Sequence, residues 1–203
     1  MGTHGRRALS RILLGSVAES VVHHAPCSVL TVGDTADQAD PAGVERVLAP
    51  VDMSEYTLPL LRASQHVATT FRASIDVLHV VEPLPIPVPL IGGFTLNDLV
   101  MEPVHQAEEE VRSVIEQAGL SGDVARPHVE EGHAATTILD VADELESDLI
   151  CIASHGLSGM TRALVGSVTA RVVRRASCPV LTLRIPSEEI EAERARLEAE
   201  ESS

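Results

Sequence analysis

Residues 149–183 read LICIASHGLSGMTRALVGSVTARVVRRASCPVLTL, and the fold turns on this stretch. Leu149–Ala153 is a near-continuous apolar run, the pattern of a strand covered on both faces. A glycine-bearing loop from Gly156 to Ser167 leads into a helical pattern running from about Arg162 to Arg175, and Val180–Leu183 reads as a further strand. The same pattern opens the chain. Positions 2–32 and 153–183, offset by 151 residues, agree at about 14 of 31 places, among them His4-Gly5 with His155-Gly156, Gly15-Ser16 with Gly166-Ser167, and Val29-Leu30-Thr31 with Val180-Leu181-Thr182. Self-similarity at one fixed offset signals duplication.

Outward from these copies the chain alternates strand and helix. Val47–Val51, Ile75–Val81 and Ala125–Val129 are apolar or β-branched runs. Ser54 is placed to cap a helix through Ala68, Pro103 to open one that ends at Gly119, and Thr136–Leu145 forms a third. Alternation over 45–185 predicts an α/β fold: a Rossmann-like, open, parallel five-stranded sheet with helices on both faces, three layers in all. The expected organisation is a partial repeat at 1–33 (loop, helix 9–24 and edge strand 28–32), a linker at 34–44, a complete domain at 45–185 and an acidic tail at 186–203. The tail reads as a frayed, solvated helix with Arg194–Glu198 and Arg196–Glu200 pairs. Half a domain cannot build its own core, so a truncated start of a tandem protein is expected over an evolved half-domain.

Composition excludes several functions. The formal charge is −15 and all 15 basic residues are Arg, so neither a nucleic-acid-binding face nor a Walker-type phosphate lysine is available. The three cysteines have no metal-ligand spacing, and His128 and His133 do not share a strand face, so no metal site is expected. With neither a signal peptide nor an apolar run of membrane-spanning length, the expected location is cytoplasmic, with no membrane partner. Residues 83–97 carry several prolines among apolar side chains and read as a packed or partner-docking connection, or as a flap over a ligand.

In an open α/β sheet, ligands sit beyond the carboxyl ends of the strands. Asp52 ends one strand and could accept hydrogen bonds from ribose hydroxyls, while Val80 and Val81 offer an apolar wall for a flat base. The small residues Ala153, Gly156 and Gly166 would let phosphate oxygens approach backbone N–H groups at a helix N-terminus, and Ser167 would add a hydroxyl. His155 fits turn-capping and phosphate contact equally.

From Val47-Leu48-Ala49-Pro50-Val51-Asp52-Met53-Ser54-Glu55 to Cys178-Pro179-Val180-Leu181, about 140 of 203 residues resemble a universal stress protein (UspA-like) domain. The family motif of Gly, two residues, Gly, nine residues, Gly and Ser or Thr falls on Ala153, Gly156, Gly166 and Ser167, with Ala in the first place. The resemblance implies Pro50, Val51 and Asp52 beside adenine and ribose, Val80 beside the base, and Ala153, His155, Gly156, Gly166, Ser167, Val168 and Thr169 around the phosphates. It further implies ATP as ligand, with or without Mg2+, a regulatory role in stress response with at most slow hydrolysis, and pairing through the last strand, either as a homodimer or within the chain. The alternative is a scaffold or dimerisation module of the same fold that binds no nucleotide.

Overall fold

The computed structural model describes residues 16–33, 43–83, 96–120, 122, 124–154 and 165–201. The elements are α1 (Ser16–His24), β1 (Val29–Thr31), β2 (Arg46–Val51), α2 (Thr57–Phe71), β3 (Ser74–Val81), α3 (Leu96–Gln117), β4 (Ala125–Glu131), α4 (Ala134–Glu144), β5 (Leu149–Ala153), α5 (Ser167–Arg175), β6 (Val180–Leu183) and α6 (Ser187–Glu201). The strands lie in the order β1-β6-β5-β2-β3-β4. The five expected strands, β6 to β4, are mutually parallel, and β1 adds a sixth, antiparallel to β6.

From β2 the chain winds outward through β3 to β4, then returns to the other side of β2 through β5 and β6. Right-handed crossovers put the helices of the two excursions on opposite faces. Val47, Ala49 and Val51 of β2 and Cys151 of β5 accordingly pack with Leu58 and Leu61 of α2 and Val111 and Ile115 of α3. Leu48, Leu78 and Ile150 point the other way, against Ile138 and Val141 of α4, Val172 of α5, and Ala18 and Val22 of α1. Every β5 side chain is buried, as its unbroken apolar run requires. With hardly any aromatics, the core rests on aliphatic side chains worth about 1.5–3 kcal/mol each when fully buried.

β1 pairs Val29 with Thr182, Leu30 with Leu181 and Thr31 with Val180. Since the two strands carry the same three residues 151 positions apart, the register is two-fold symmetric about Leu30 and Leu181. The pairing through the last strand is therefore made within the chain. It covers an edge that would otherwise present open backbone groups.

Several local expectations change. Ser54 does not cap α2. The helix starts later, with Tyr56 as N-cap and no side-chain cap bond, while the Ser54 hydroxyl serves the preceding turn, donating to Asp52 Oδ1 at 2.5 Å and accepting from Tyr56 N. Pro103 lies inside α3 rather than opening it. An interior proline loses its N–H bond and crowds the carbonyl four residues back, a cost of about 3 kcal/mol, which the burial of Ala107, Val111, Ile115 and Ala118 along one face of the helix offsets. α6 is helical but not left to solvent: Ile190 and Glu193 are buried, Arg196 Nη2 pairs with Glu193 at 2.6 Å, and Arg194 Nη2 with Glu55 at 2.6 Å.

Three helices end in one closing geometry. Gly119, Arg72 and Glu146 have φ of +73, +60 and +51° after α3, α2 and α4. In each case the following N–H returns to the last turn: Leu120 to Ile115 O, Ala73 to Ala68 O and Ser147 to Ala142 O.

At the start of the strands, Asp76 is 1% exposed, and its Oδ1 lies 2.7 Å from His128 Nε2. Arg46 Nε stands 3.2 Å from Oδ2, an ion pair without hydrogen-bond alignment. His128 is thus tied to a carboxylate on the neighbouring strand.

Candidate functional site

The strand order reverses between β2 and β5, and there a cavity of about 570 Å³ opens beyond their carboxyl ends. It gathers Pro50, Val51, Asp52, Val80, Ala153, Gly166, Ser167, Val168 and Thr169. His155 and Gly156 lie outside the described residues, as do residues 1–15 with the first-copy glycines, and 84–95 of the proline-rich segment. The wall also includes Tyr56, Thr57, Leu60, His79, Glu82, Ala134 and Ile138, which sequence reasoning missed. Glu82 follows directly on a strand end and His79 alternates with Leu78 and Val80, signals that strand patterning alone could have raised.

Asp52 sits on a sharp turn. Met53 has φ +58°, a left-handed conformation costing about 1–2 kcal/mol for a side-chain-bearing residue. Asp52 Oδ1 stabilises the turn by accepting from Ser54 N at 3.2 Å and from Ser54 Oγ, while Tyr56 N donates to Ser54 Oγ at 3.3 Å. The half-buried carboxylate is thereby held at the cavity wall. Beside it, His79 Nδ1 lies 3.0 Å from Val51 O. A carbonyl only accepts, so Nδ1 carries the proton in this bond.

Across the cavity, the loop between β5 and α5 is closed at its base. Gly166 N donates to Ser154 O at 2.8 Å and Thr169 Oγ1 to Ala153 O at 2.8 Å. The Thr169 hydroxyl proton is therefore engaged within the protein, while its N–H belongs to the first turn of α5. Val165 N reaches His23 Nδ1 of α1 at 3.4 Å, so α1 touches the end of this loop.

Ala153 is extended and does not have positive φ, so Ala in the first motif position carries no backbone strain. Gly166 is the N-cap of α5 with φ −59° and ψ 151°, and among the described residues a Cβ there would meet Ser154 O alone, at 3.7 Å. Neither its own conformation nor the described neighbouring atoms require a glycine.

Three helix N-termini border the cavity: α2 at Tyr56 and Thr57, α4 at Ala134, and α5 at Gly166 and Ser167. Ala134 N, at the start of α4, donates to Glu82 Oε1 at 3.1 Å, so that end already meets a carboxylate. α5 starts at Gly166, which has no side chain to cap it, and its N-terminus with the helix dipole borders the cavity. The arrangement accepts an anion at α5, a hydrogen-bond donor at Asp52 and a flat apolar group against Val80 and Ile138. Among the described lining residues there is no Arg.

The family model described as the universal stress protein family matches residues 1–33 and 43–184. A universal stress protein of Methanocaldococcus jannaschii is 30% identical over 149 residues, covering 71% of this chain and 85% of that one. One from Mycolicibacterium smegmatis is 30% identical over 192 residues, 91% of this chain and 60% of the relative. Among solved structures, the universal stress protein UspA from Lactobacillus plantarum superposes with TM-score 0.60 at 26% identity, over 70% of this chain and 99% of that one. A universal stress protein in complex with cAMP shares the fold, with TM-score 0.53 at 20% identity, over 71% and 99% of the two chains.

Proposed function

The chain belongs to the universal stress protein family, and from that premise we propose that it is an adenine-nucleotide-binding regulatory module of the stress response, with ATP as its ligand. In this reading the adenine lies between Val51 and Val80, the ribose hydroxyls donate to Asp52, and the phosphates meet the N-terminus of α5 at Gly166, Ser167 and Val168, with His155 and Gly156 in the same loop. The observation that carries it is Gly166. A glycine that its backbone conformation and its described neighbours do not require, at the N-cap of a helix that borders the cavity, leaves room for an anion to reach backbone N–H groups. That a related fold has been solved with cAMP supports the ligand class.

With no Arg in the described lining, α5 supplies the positive potential, and Mg2+ arriving with ATP would neutralise the remaining charge. Binding, rather than rapid turnover, is the expected role. The three free cysteines accord with a reducing cytoplasm. Residues 1–33 are read as the C-terminal part of a second copy, on their similarity to 153–183 and on the two-fold register of β1 with β6.

The same lack of a described cation favours a second reading, a scaffold of this fold that binds no nucleotide. Calorimetric titration with MgATP, together with nucleotide analysis of the purified protein, separates the two. Saturable binding supports the first. A flat titration at millimolar ligand, on protein purified free of nucleotide, rejects it.

A further inference from the structure

The turn that carries Asp52 has a second side. Behind it, between α2, α3 and α6, lies another cavity of about 260 Å³, bounded by Met53, Ser54, Thr57, Leu58, Glu193 and Leu197 among others. Thr57 borders both cavities, and its buried Oγ1 has no hydrogen-bond partner among the described residues. The two cavities therefore share Thr57 as a common wall, while Met53 and Tyr56 of the turn pack against the core. What ties the turn from behind is the 2.6 Å contact of Glu55 Oε1 with Arg194 Nη2, bridging residues 139 apart in the chain. α6 can bear that load, because Ile190 is buried and Glu193, itself 6% exposed, is held by Arg196. The Arg194 guanidinium also holds the Glu55 carboxyl below its ordinary value, so the pair stays charged at neutral pH.

We propose that Arg194 is a positioning residue for the ligand cavity: through Glu55 it holds the strained turn at Met53, and so the Asp52 carboxylate, in the orientation that receives the ribose. This rests on the nucleotide reading above and adds to it a role for the tail helix. A turn with a left-handed Met53 is strained, and a strained backbone persists only where its surroundings hold it; the ion pair from a separate element is one such hold. The residue acts on the part of the ligand that Asp52 meets, and leaves the phosphate end to α5.

The test uses the full chain, titrated calorimetrically with MgATP and with the magnesium complex of 2′,3′-dideoxy-ATP. In the wild type, the ribose hydroxyls strengthen binding. Arg194→Ala is expected to weaken MgATP by about 1.5- to fivefold, the range of an exposed ion pair, and to leave the dideoxy analogue unchanged. Arg194→Lys restores most of the difference. Glu55→Gln reproduces the loss, and the double variant is no weaker than either single one. Arg194→Ala binding MgATP as the wild type does overturns the inference and leaves the nucleotide reading standing. An equal loss for both ligands overturns it too, because the helix would then be acting on general stability. A wild type that does not distinguish the two ligands removes the ribose role of Asp52 and this inference with it. A wild type that binds neither ligand overturns the nucleotide reading itself.

Discussion

Replacing Gly166 with Ala separates what the fold needs at this position from what a ligand would need. At φ −59° and ψ 151° an alanine is unstrained, and its Cβ would make one ordinary contact, 3.7 Å from Ser154 O. Two small effects oppose each other. Loss of glycine freedom in the unfolded chain stabilises by about 0.4–1 kcal/mol. Alanine is a poorer N-cap than glycine, which costs roughly 0.5–1 kcal/mol. The net change is within about 0.5 kcal/mol, so the melting temperature should move by no more than about 2 °C for a domain of this size. Binding should respond quite differently. A methyl at the mouth of α5 displaces an anion from the N–H groups, and losing one charge-assisted hydrogen bond costs about 1.5–3 kcal/mol, roughly a ten- to hundredfold weaker MgATP. Gly132→Ala is the matched control, since Gly132 has φ +155° and a Cβ there would stand 2.5 Å from Thr137 Oγ1. That substitution should destabilise by about 1–3 kcal/mol. Thermal denaturation and calorimetric titration of both variants read the two effects separately. A Gly166→Ala protein that binds MgATP as tightly as the wild type would refute the assignment of the phosphate end to α5, and a collapse of its melting temperature would refute the packing argument.

Other consequences follow from the frame around the site. Arg46→Met strands the buried Asp76 carboxylate with His128 alone and should cost about 3 kcal/mol in urea unfolding, more than Asp76→Asn, whose two former partners still reach solvent at 34% and 27% exposure. Equal costs would show that burial of the carboxylate does not govern the cluster. Arg72→Gly and Glu146→Gly each relieve a left-handed side-chain-bearing residue and should raise stability by about 0.5–1 kcal/mol in the same assay. Burial pushes the Cys151 thiol up from 9.0 to about 12, and the half-buried Cys178 likewise. Their folded values exceed the unfolded one, so this contribution is complete below pH 9 and is lost as pH rises toward about 12, with Cys151 the firmer contributor because it is fully enclosed. A thiol reagent at neutral pH should accordingly modify Cys27 first, and equal rates at all three would contradict the burial.

Much of the frame was legible because it depends on local pattern. β5 and β6 run as their apolar stretches indicate, and β2 and β3 begin one residue earlier than expected, at Arg46 and Ser74. The repeat led from Val180–Leu183 to Val29–Thr31 and so to the strand at the sheet edge. Pro103 and Ser54 misled for the opposite reason: each has a strong local preference that a nonlocal interaction or a competing partner outweighs. For Pro103 it is the packed face of α3, and for Ser54 the nearby carboxylate of Asp52. The tail was read from its exposed i,i+4 pairs, yet its docking depends on Glu55, which no local spacing relates to Arg194.

By itself, then, the order of amino acids determined the strands, the parallel sheet they build and the crevice where Asp52 and Gly166 come together, because periodicity and crossover handedness act through neighbouring residues. Only the tertiary structure decided which charges and N–H groups are answered. Glu82 meets α4, His128 reaches Asp76, His23 reaches Val165, and Arg194 reaches the turn of the site. Electrostatic and hydrogen-bond partners are chosen by distance in space, and a chain that folds back across its sheet brings together residues that its sequence keeps far apart.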